Sequence, residues 1–167
     1  VSGTENYSSE SYIGFFDYQL STPFKMINSL SFIINKSAII SIDYELLDYS
    51  SANLSADFYN FTDTNNEIEG YYTRTSNLRL GGELRVHPQL SLRGGYAYYG
   101  SPFAGNYNDA SQEYLTLGAG LKVNQYFFDM ALVNMLSDKY TYIYDGASAA
   151  SISSTKSQVM LSAGFKF

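Results

Sequence analysis

Charged side chains recur along this sequence in segments where they alternate with apolar residues, and they are its main candidates for chemistry. They fall on the polar side of predicted strands: Asp43, Glu45, Arg79, Glu83, Arg85, Arg93, Lys122 and Asp129. Opposite charges that face each other across two strands form ion pairs, and the same groups can contact the charged part of a ligand. The sequence alone leaves both roles open.

Residues for catalysis are scarce. The single His, His87, directly precedes Pro88 in a predicted turn, and no motif links it to a Ser or Thr nucleophile. The chain contains no Cys, which excludes disulfides and thiolate metal sites. We therefore expect no enzymatic activity, no cofactor and no metal site.

The composition narrows the class of protein further. The chain of 167 residues has a formal net charge of −6, so no basic surface for nucleic acid is expected. Charged residues make up only 16% of it, whereas 17 Tyr and 11 Phe are present. Tyr and Phe are typical of surfaces that lie between water and lipid.

The dominant pattern is alternation of apolar and polar residues over segments of about ten residues, which predicts antiparallel strands. The predicted strands are 24–34, 38–49, 71–87, 90–100, 113–123, 126–137 and 156–167. One face of the predicted sheet is apolar, with Ile40, Leu80, Leu117 and Phe165 among its members, and the other carries the charges. A strand-like segment, 11–20, precedes Pro23 and is interpreted as an outer extension of the first strand.

The lengths of the connections alternate. Short turns are predicted at Asn35-Lys36, Pro88 and Asn124-Gln125, and long polar loops at 50–70, 101–112 and 138–155. Short periplasmic turns and long extracellular loops, joined by strands of about ten residues, are typical of bacterial outer-membrane β-barrels. We therefore predict an all-β chain that is the C-terminal part of one antiparallel transmembrane β-barrel domain, residues 1–167. A soluble antiparallel sandwich is the alternative.

The last predicted strand ends in Phe167 after alternating apolar residues. This ending resembles the signal by which the barrel-assembly machinery recognises its clients, so that machinery is an expected partner. It also places the short turns on the periplasmic side. No apolar stretch reaches the roughly 18 residues of a membrane-spanning helix, and no signal peptide precedes Val1. The chain is therefore expected to be a processed protein or a piece of a longer one.

About seven strands are predicted, whereas single-chain bacterial barrels have an even number. Several segments carry a family resemblance: Thr22-Pro23-Phe24-Lys25, Ser41-Ile42-Asp43-Tyr44-Glu45 followed by Asp48-Tyr49-Ser50, Asn77-Leu78-Arg79-Leu80-Gly81-Gly82-Glu83, and Leu92-Arg93-Gly94-Gly95-Tyr96-Ala97-Tyr98 followed by Ser101-Pro102. In this order they resemble the C-terminal half of the FadL/TodX family of outer-membrane transporters for long-chain fatty acids and hydrocarbons. The resemblance implies a barrel of about fourteen strands, completed by an N-terminal half, with a plug called the hatch inside.

The turn at Pro88 sets a register in which Glu83 faces Arg93 and Gly81 faces Gly95. The inward charged set is interpreted first as structural ion pairs and second as contacts for the hatch or a ligand carboxylate. Aromatic residues of the long loops provide a possible capture site for a hydrophobic substrate: Phe58, Phe61, Phe103 and Tyr107. The expected function is passive uptake of hydrophobic small molecules. The alternative is a non-transporting barrel that acts in adhesion or binding through its loops.

Overall fold

The computed structural model describes residues 17–105, 108–141 and 150–166. Within these ranges the chain is mostly β-strand. The strands are β1 (Gln19–Ser21), β2 (Phe24–Ile34), β3 (Ala38–Asp48), β4 (Asn53–Ser55), β5 (Arg74–His87), β6 (Leu90–Tyr99), β7 (Gln112–Val123), β8 (Tyr126–Thr141) and β9 (Ala150–Phe165). The helices are a 3-10 turn, Tyr49–Ser51, and α1, Thr62–Tyr71.

Seven strands form one antiparallel sheet in the order β2-β3-β5-β6-β7-β8-β9. Each strand of this sheet pairs with the next one along it, so the chain winds back and forth without a crossover. The predicted all-β antiparallel architecture is confirmed, and this sheet has the expected number of about seven strands. Within the described ranges, β2 and β9 are the two edge strands.

Short turns join the strands at one end of the sheet, the short-turn edge. At β2–β3, Asn35 and Lys36 have φ of 48° and 56°, and the Ser37 amide donates to the Ile34 carbonyl at 3.0 Å. Two successive positive φ values match the strand twist and favour a tight hairpin. At β7–β8, Asn124 has φ of 53° at the first position of a two-residue turn. The opposite end, where the long connections lie, is the long-connection edge.

The β5–β6 hairpin has the predicted register, with Glu83 opposite Arg93 and Gly81 opposite Gly95. The register shifts by one residue between Arg85 and His87, beside the Pro88 turn. Such a bulge adds a residue to one strand and increases the local twist. His87 pairs with Leu90 across a two-residue turn, and the extra residue of the bulge then restores the register centred on Pro88, so the predicted pairs form.

Three predicted segments differ in the structure. Residues 50–70, predicted as a polar loop, contain most of the 3-10 turn, β4 and most of α1. The predicted loop 138–155 is shortened, because β8 extends to Thr141 and β9 begins at Ala150. β1, expected to extend the first sheet strand, instead pairs with β4 in a separate two-stranded sheet. Most of segment 11–20 lies outside the described residues.

The two faces of the sheet differ in chemistry along its whole width. Residues aligned with Ile40 by the register form the apolar face: Leu30, Phe32, Ile42, Leu80, Leu92, Leu115, Leu117, Met130, Leu132, Val159 and Leu161. These side chains are largely exposed, from 37% at Leu132 to 76% at Leu161. The opposite, polar face carries the ion pairs. The described residues bury little, and Leu47, at 9% exposure, is their only buried large apolar side chain.

None of the helices in the described ranges has the length and apolar character needed to cross a bilayer.

Candidate functional site: charged clusters on the polar face

The polar face brings the predicted charged residues together in two groups. The Glu45 cluster comprises Lys25, Asp43, Glu45, Asn77 and Arg79, from β2, β3 and β5. The Arg93 cluster comprises Glu83, Arg93 and Asp129, from β5, β6 and β8. Along the strands, the Glu45 cluster lies closer to the long-connection edge and the Arg93 cluster closer to the short-turn edge.

Glu45 is the centre of its cluster, and its side chain is only 8% exposed. Its Oε2 accepts a hydrogen bond from Arg79 Nη2 at 3.2 Å, while Oε1 accepts one from Asn77 Nδ2 at 3.1 Å. Lys25 Nζ lies 3.5 Å from the same Oε1. A buried carboxylate is tolerated only when charges and donors compensate its lost hydration, and these three donors do so. Asp43 interacts more weakly with Arg79, because its Oδ2 lies 3.9 Å from Arg79 Nε.

Asn77 connects this cluster to the connection that follows β6. It is 7% exposed, and its Oδ1 accepts a hydrogen bond from the Gly100 amide at 3.3 Å. A Cβ at Gly100 would collide with the Thr75 hydroxyl, so the backbone can approach β5 only at a glycine. The buried end of the polar face therefore holds the start of a long connection in place.

Arg93 bridges two carboxylates on different strands. Its Nε lies 2.7 Å from Glu83 Oε2, and its Nη1 lies 2.6 Å from Asp129 Oδ1. Because β7 lies between Arg93 and Asp129, the side chain has to cross that strand. It crosses at Gly120, where an added Cβ would lie 2.5 Å from Asp129 Oδ1 and 3.2 Å from Arg93 Nη1. Gly120 thus provides the space for the ion pair.

Arg85 and Lys122 do not join either cluster. Both line an open cavity of about 730 Å³ at the short-turn edge, together with the Arg93 cluster. Neither forms an ion pair within the part of the chain that the structure describes. Of the predicted inward set, six residues are therefore paired and these two cations are not.

The predicted capture aromatics do not form one group. Phe58 is fully exposed and lines a cavity of about 550 Å³ before α1, together with Phe61. Phe61 packs edge-on against Tyr59, with ring centroids 4.7 Å apart. Phe103 does not line this cavity and instead stacks on Tyr72 at 5.5 Å. Tyr107 lies outside the described residues, as does Phe167, the residue expected to be recognised by the barrel-assembly machinery.

Three residues of these clusters are not among the predicted site residues: Lys25, Asn77 and Gly120. The short turn at Asn35-Lys36 predicts that Glu45 faces Ile27, which places Lys25 one pair away on the same face. For Asn77 and Gly120, alternation along the strand predicts only that they lie on the polar face. Their neighbours depend on the β3–β5 and β6–β7 registers, which are set across long connections rather than by turns.

His87 has a local role. Its Nδ1 accepts a hydrogen bond from the Gln89 amide at 3.3 Å across the Pro88 turn. In the described ranges no three His, Asp or Glu side chains are placed to hold a metal ion. The absence of enzymatic activity stays a prediction.

The fold defines this molecule as an all-β chain built on a seven-stranded antiparallel sheet with one apolar and one charged face. Comparison with protein-family models, with curated proteins and with solved structures finds no match. The resemblance to the FadL/TodX family therefore rests on the residues quoted above.

Proposed function

We propose that this chain is part of a bacterial outer-membrane β-barrel through which hydrophobic small molecules are taken up passively. The observation that carries the proposal is the division of the sheet into an exposed apolar face and a face that holds the ion pairs. In a barrel the apolar face contacts lipid and the charged face lines the lumen.

The extent of the apolar face supports a lipid environment. It crosses the sheet from Leu30 on β2 to Leu161 on β9, so it is far larger than an ordinary exposed patch. Each Leu, Ile or Phe moved from water into an apolar phase contributes about 1.5–3 kcal/mol. The sheet strands have 10 to 16 residues, enough for a tilted strand to cross the hydrocarbon layer.

The number of strands determines whether the sheet can close into a barrel by itself. In an antiparallel series of seven, the first strand and the last run in the same direction, so β2 and β9 are parallel. They cannot complete an antiparallel barrel by pairing with each other. An odd number of further strands is needed, and about seven more would give the even total of fourteen that the family resemblance implies. We propose that an N-terminal half of the barrel supplies them.

Transport of a hydrophobic molecule is supported by apolar side chains at two places in the structure. Phe58 and Phe61 line the cavity before α1 and would meet a substrate arriving at the long-connection edge. Within the polar face, Ile27, Ile33 and Ile39 are exposed beside the charged residues, and Ile33 faces Ile39 directly. A substrate would move from the aromatic cavity to this patch, driven by its own gradient. In the whole barrel, the clusters around Glu45 and Arg93 would face the hatch.

Uptake by cells that produce the full-length protein tests this function. We expect a radiolabelled fatty acid or aromatic hydrocarbon to enter faster than in cells without it, and Phe58→Ala to slow entry severalfold. Phe58 is fully exposed, so its loss should not affect folding. Tyr140→Ala is the matched control, because Tyr140 is an exposed aromatic on β8 outside this cavity.

The same cells separate the two candidate functions. Uptake that is unchanged by production of the protein would contradict the transport proposal. If surface adhesion rose with production at the same time, the alternative of a non-transporting binding barrel would be favoured, with the exposed Phe58 segment as its contact surface.

A further inference from the structure

The cavity of about 730 Å³ at the short-turn edge combines cations with aromatic rings. Its charged lining consists of Glu83, Arg85, Arg93, Lys122, Asp129 and Lys166. Arg93 is shared by the two carboxylates, which leaves an excess of two positive charges in the cavity. This volume lies within the usual range for small-molecule sites.

The unpaired cations come from three separate places along the short-turn edge and line one cavity. Arg85 is at the end of β5, Lys122 is near the end of β7, and Lys166 directly follows β9. None of them forms an ion pair within the described ranges. The Arg93 cluster lines the same cavity and carries one excess negative charge, so the three unpaired cations leave a net charge of +2 to attract an anionic ligand.

The long-connection edge has the opposite charge. Its charged side chains are mostly acidic, and those in or beside the connections include Asp57, Asp63, Glu67, Glu69, Asp109 and Asp138. An anion would therefore be repelled at that end of the sheet and attracted at the short-turn edge. Tyr126, Phe127 and Phe165 add apolar surface to the same cavity.

We infer that this cavity binds a small molecule that joins a doubly charged anionic group, such as a phosphate monoester, to an aromatic or apolar body. Two positive charges match a dianion better than a monocarboxylate, and the rings would cover the apolar part. All lining residues lie in the described chain, so the inference goes beyond the transport proposal. It rests on the bilayer setting of that proposal but requires no transport.

Phenyl phosphate is the probe, titrated by ³¹P NMR into the full-length protein in nanodiscs of neutral lipid. We expect binding that weakens about threefold with each of Arg85→Gln, Lys122→Gln and Lys166→Gln, since each removes one partly exposed charge contact. Lys36→Gln is the matched control. It removes the same charge at the same edge, outside the cavity, and should leave the affinity unchanged.

Three related probes separate the contribution of the aromatic ring from that of the negative charge. Inorganic phosphate lacks the ring, benzoate carries one charge and benzyl alcohol carries none. Each is measured by its competition with phenyl phosphate in the same ³¹P titration, and each should bind more weakly than phenyl phosphate. Equal affinity of wild type and the triple glutamine variant, whose fold is checked by circular dichroism, would overturn the inference. Binding of benzyl alcohol as tight as that of phenyl phosphate, or an equal loss in Lys36→Gln, would overturn it too. Loss of uptake in cells would leave this result unaffected.

Discussion

Glu45 has the lowest exposure among the charged residues that the structure describes. Its carboxylate contacts Arg79, Asn77 and Lys25, so neutralising it leaves two cations without their nearest anion. We expect Glu45→Gln to lower the free energy of unfolding by about 1–2 kcal/mol, a value reduced from that of a fully buried pair because the cations are partly exposed. Urea titration of the protein folded into phospholipid vesicles measures this.

Asp43→Asn is the matched control for Glu45→Gln. Asp43 contacts the same guanidinium, but at 3.9 Å, and its side chain is 36% exposed. Screening by water makes such contacts weak, so the expected loss is below about 0.5 kcal/mol. Equal losses for the two variants would show that burial of Glu45 does not strengthen its contacts with Arg79 and Asn77.

A substitution at Gly120 tests whether the Arg93 side chain crosses β7 at this position. We expect Gly120→Val to lower the free energy of unfolding by about 1–3 kcal/mol, because its side chain would occupy the space of the Arg93–Asp129 ion pair. Gly94→Val is the control, since a Cβ there meets nothing closer than 3.9 Å on the apolar face. The same urea titration compares them, and similar losses at both glycines would contradict the crossing geometry.

At the scale of elements, sequence reasoning works where a connection is short. The Pro88 turn sets the β5–β6 register, so the Glu83–Arg93 pair is predictable. The Arg93–Asp129 pair is not, because the β6–β7 register follows from a connection of about a dozen residues with no fixed geometry. α1 is not predicted for a different reason: its polar sequence lacks an apolar stripe, and the helix contacts the 3-10 turn and β4.

Asn65 connects α1 to β4. Its side chain accepts a hydrogen bond from the Leu54 amide at 2.8 Å and donates one to the Leu54 carbonyl at 2.9 Å, as a neighbouring strand would. We expect Asn65→Ala to speed amide hydrogen exchange in residues 53–71 about tenfold, with exchange in β5–β9 unchanged. Asn66→Ala is the control, because Asn66 is exposed on the same helix. Unchanged exchange in Asn65→Ala would show that other contacts hold the helix.

At the scale of the whole molecule, the proposal depends on which face of the sheet meets lipid. The sequence contains no Trp, so a single introduced Trp reports its own surroundings. Leu161 and Ser162 are adjacent on β9, both exposed, and they point to opposite faces of the sheet. Ser162 lies opposite Asp129, so circular dichroism first checks that each variant keeps the fold. The two sites then form a pair for measuring contact with acyl chains.

We expect the fluorescence of Leu161→Trp to be quenched in vesicles of brominated phospholipid, because the apolar face would touch the acyl chains. Ser162→Trp should keep its fluorescence there and be quenched instead by iodide in water, because the charged face would line an aqueous lumen. Iodide quenching of both variants, with no effect of bromine on either, would place the apolar face outside the bilayer. Such a sheet would need a protein partner over the face that includes Leu117, and the barrel proposal would fail with it.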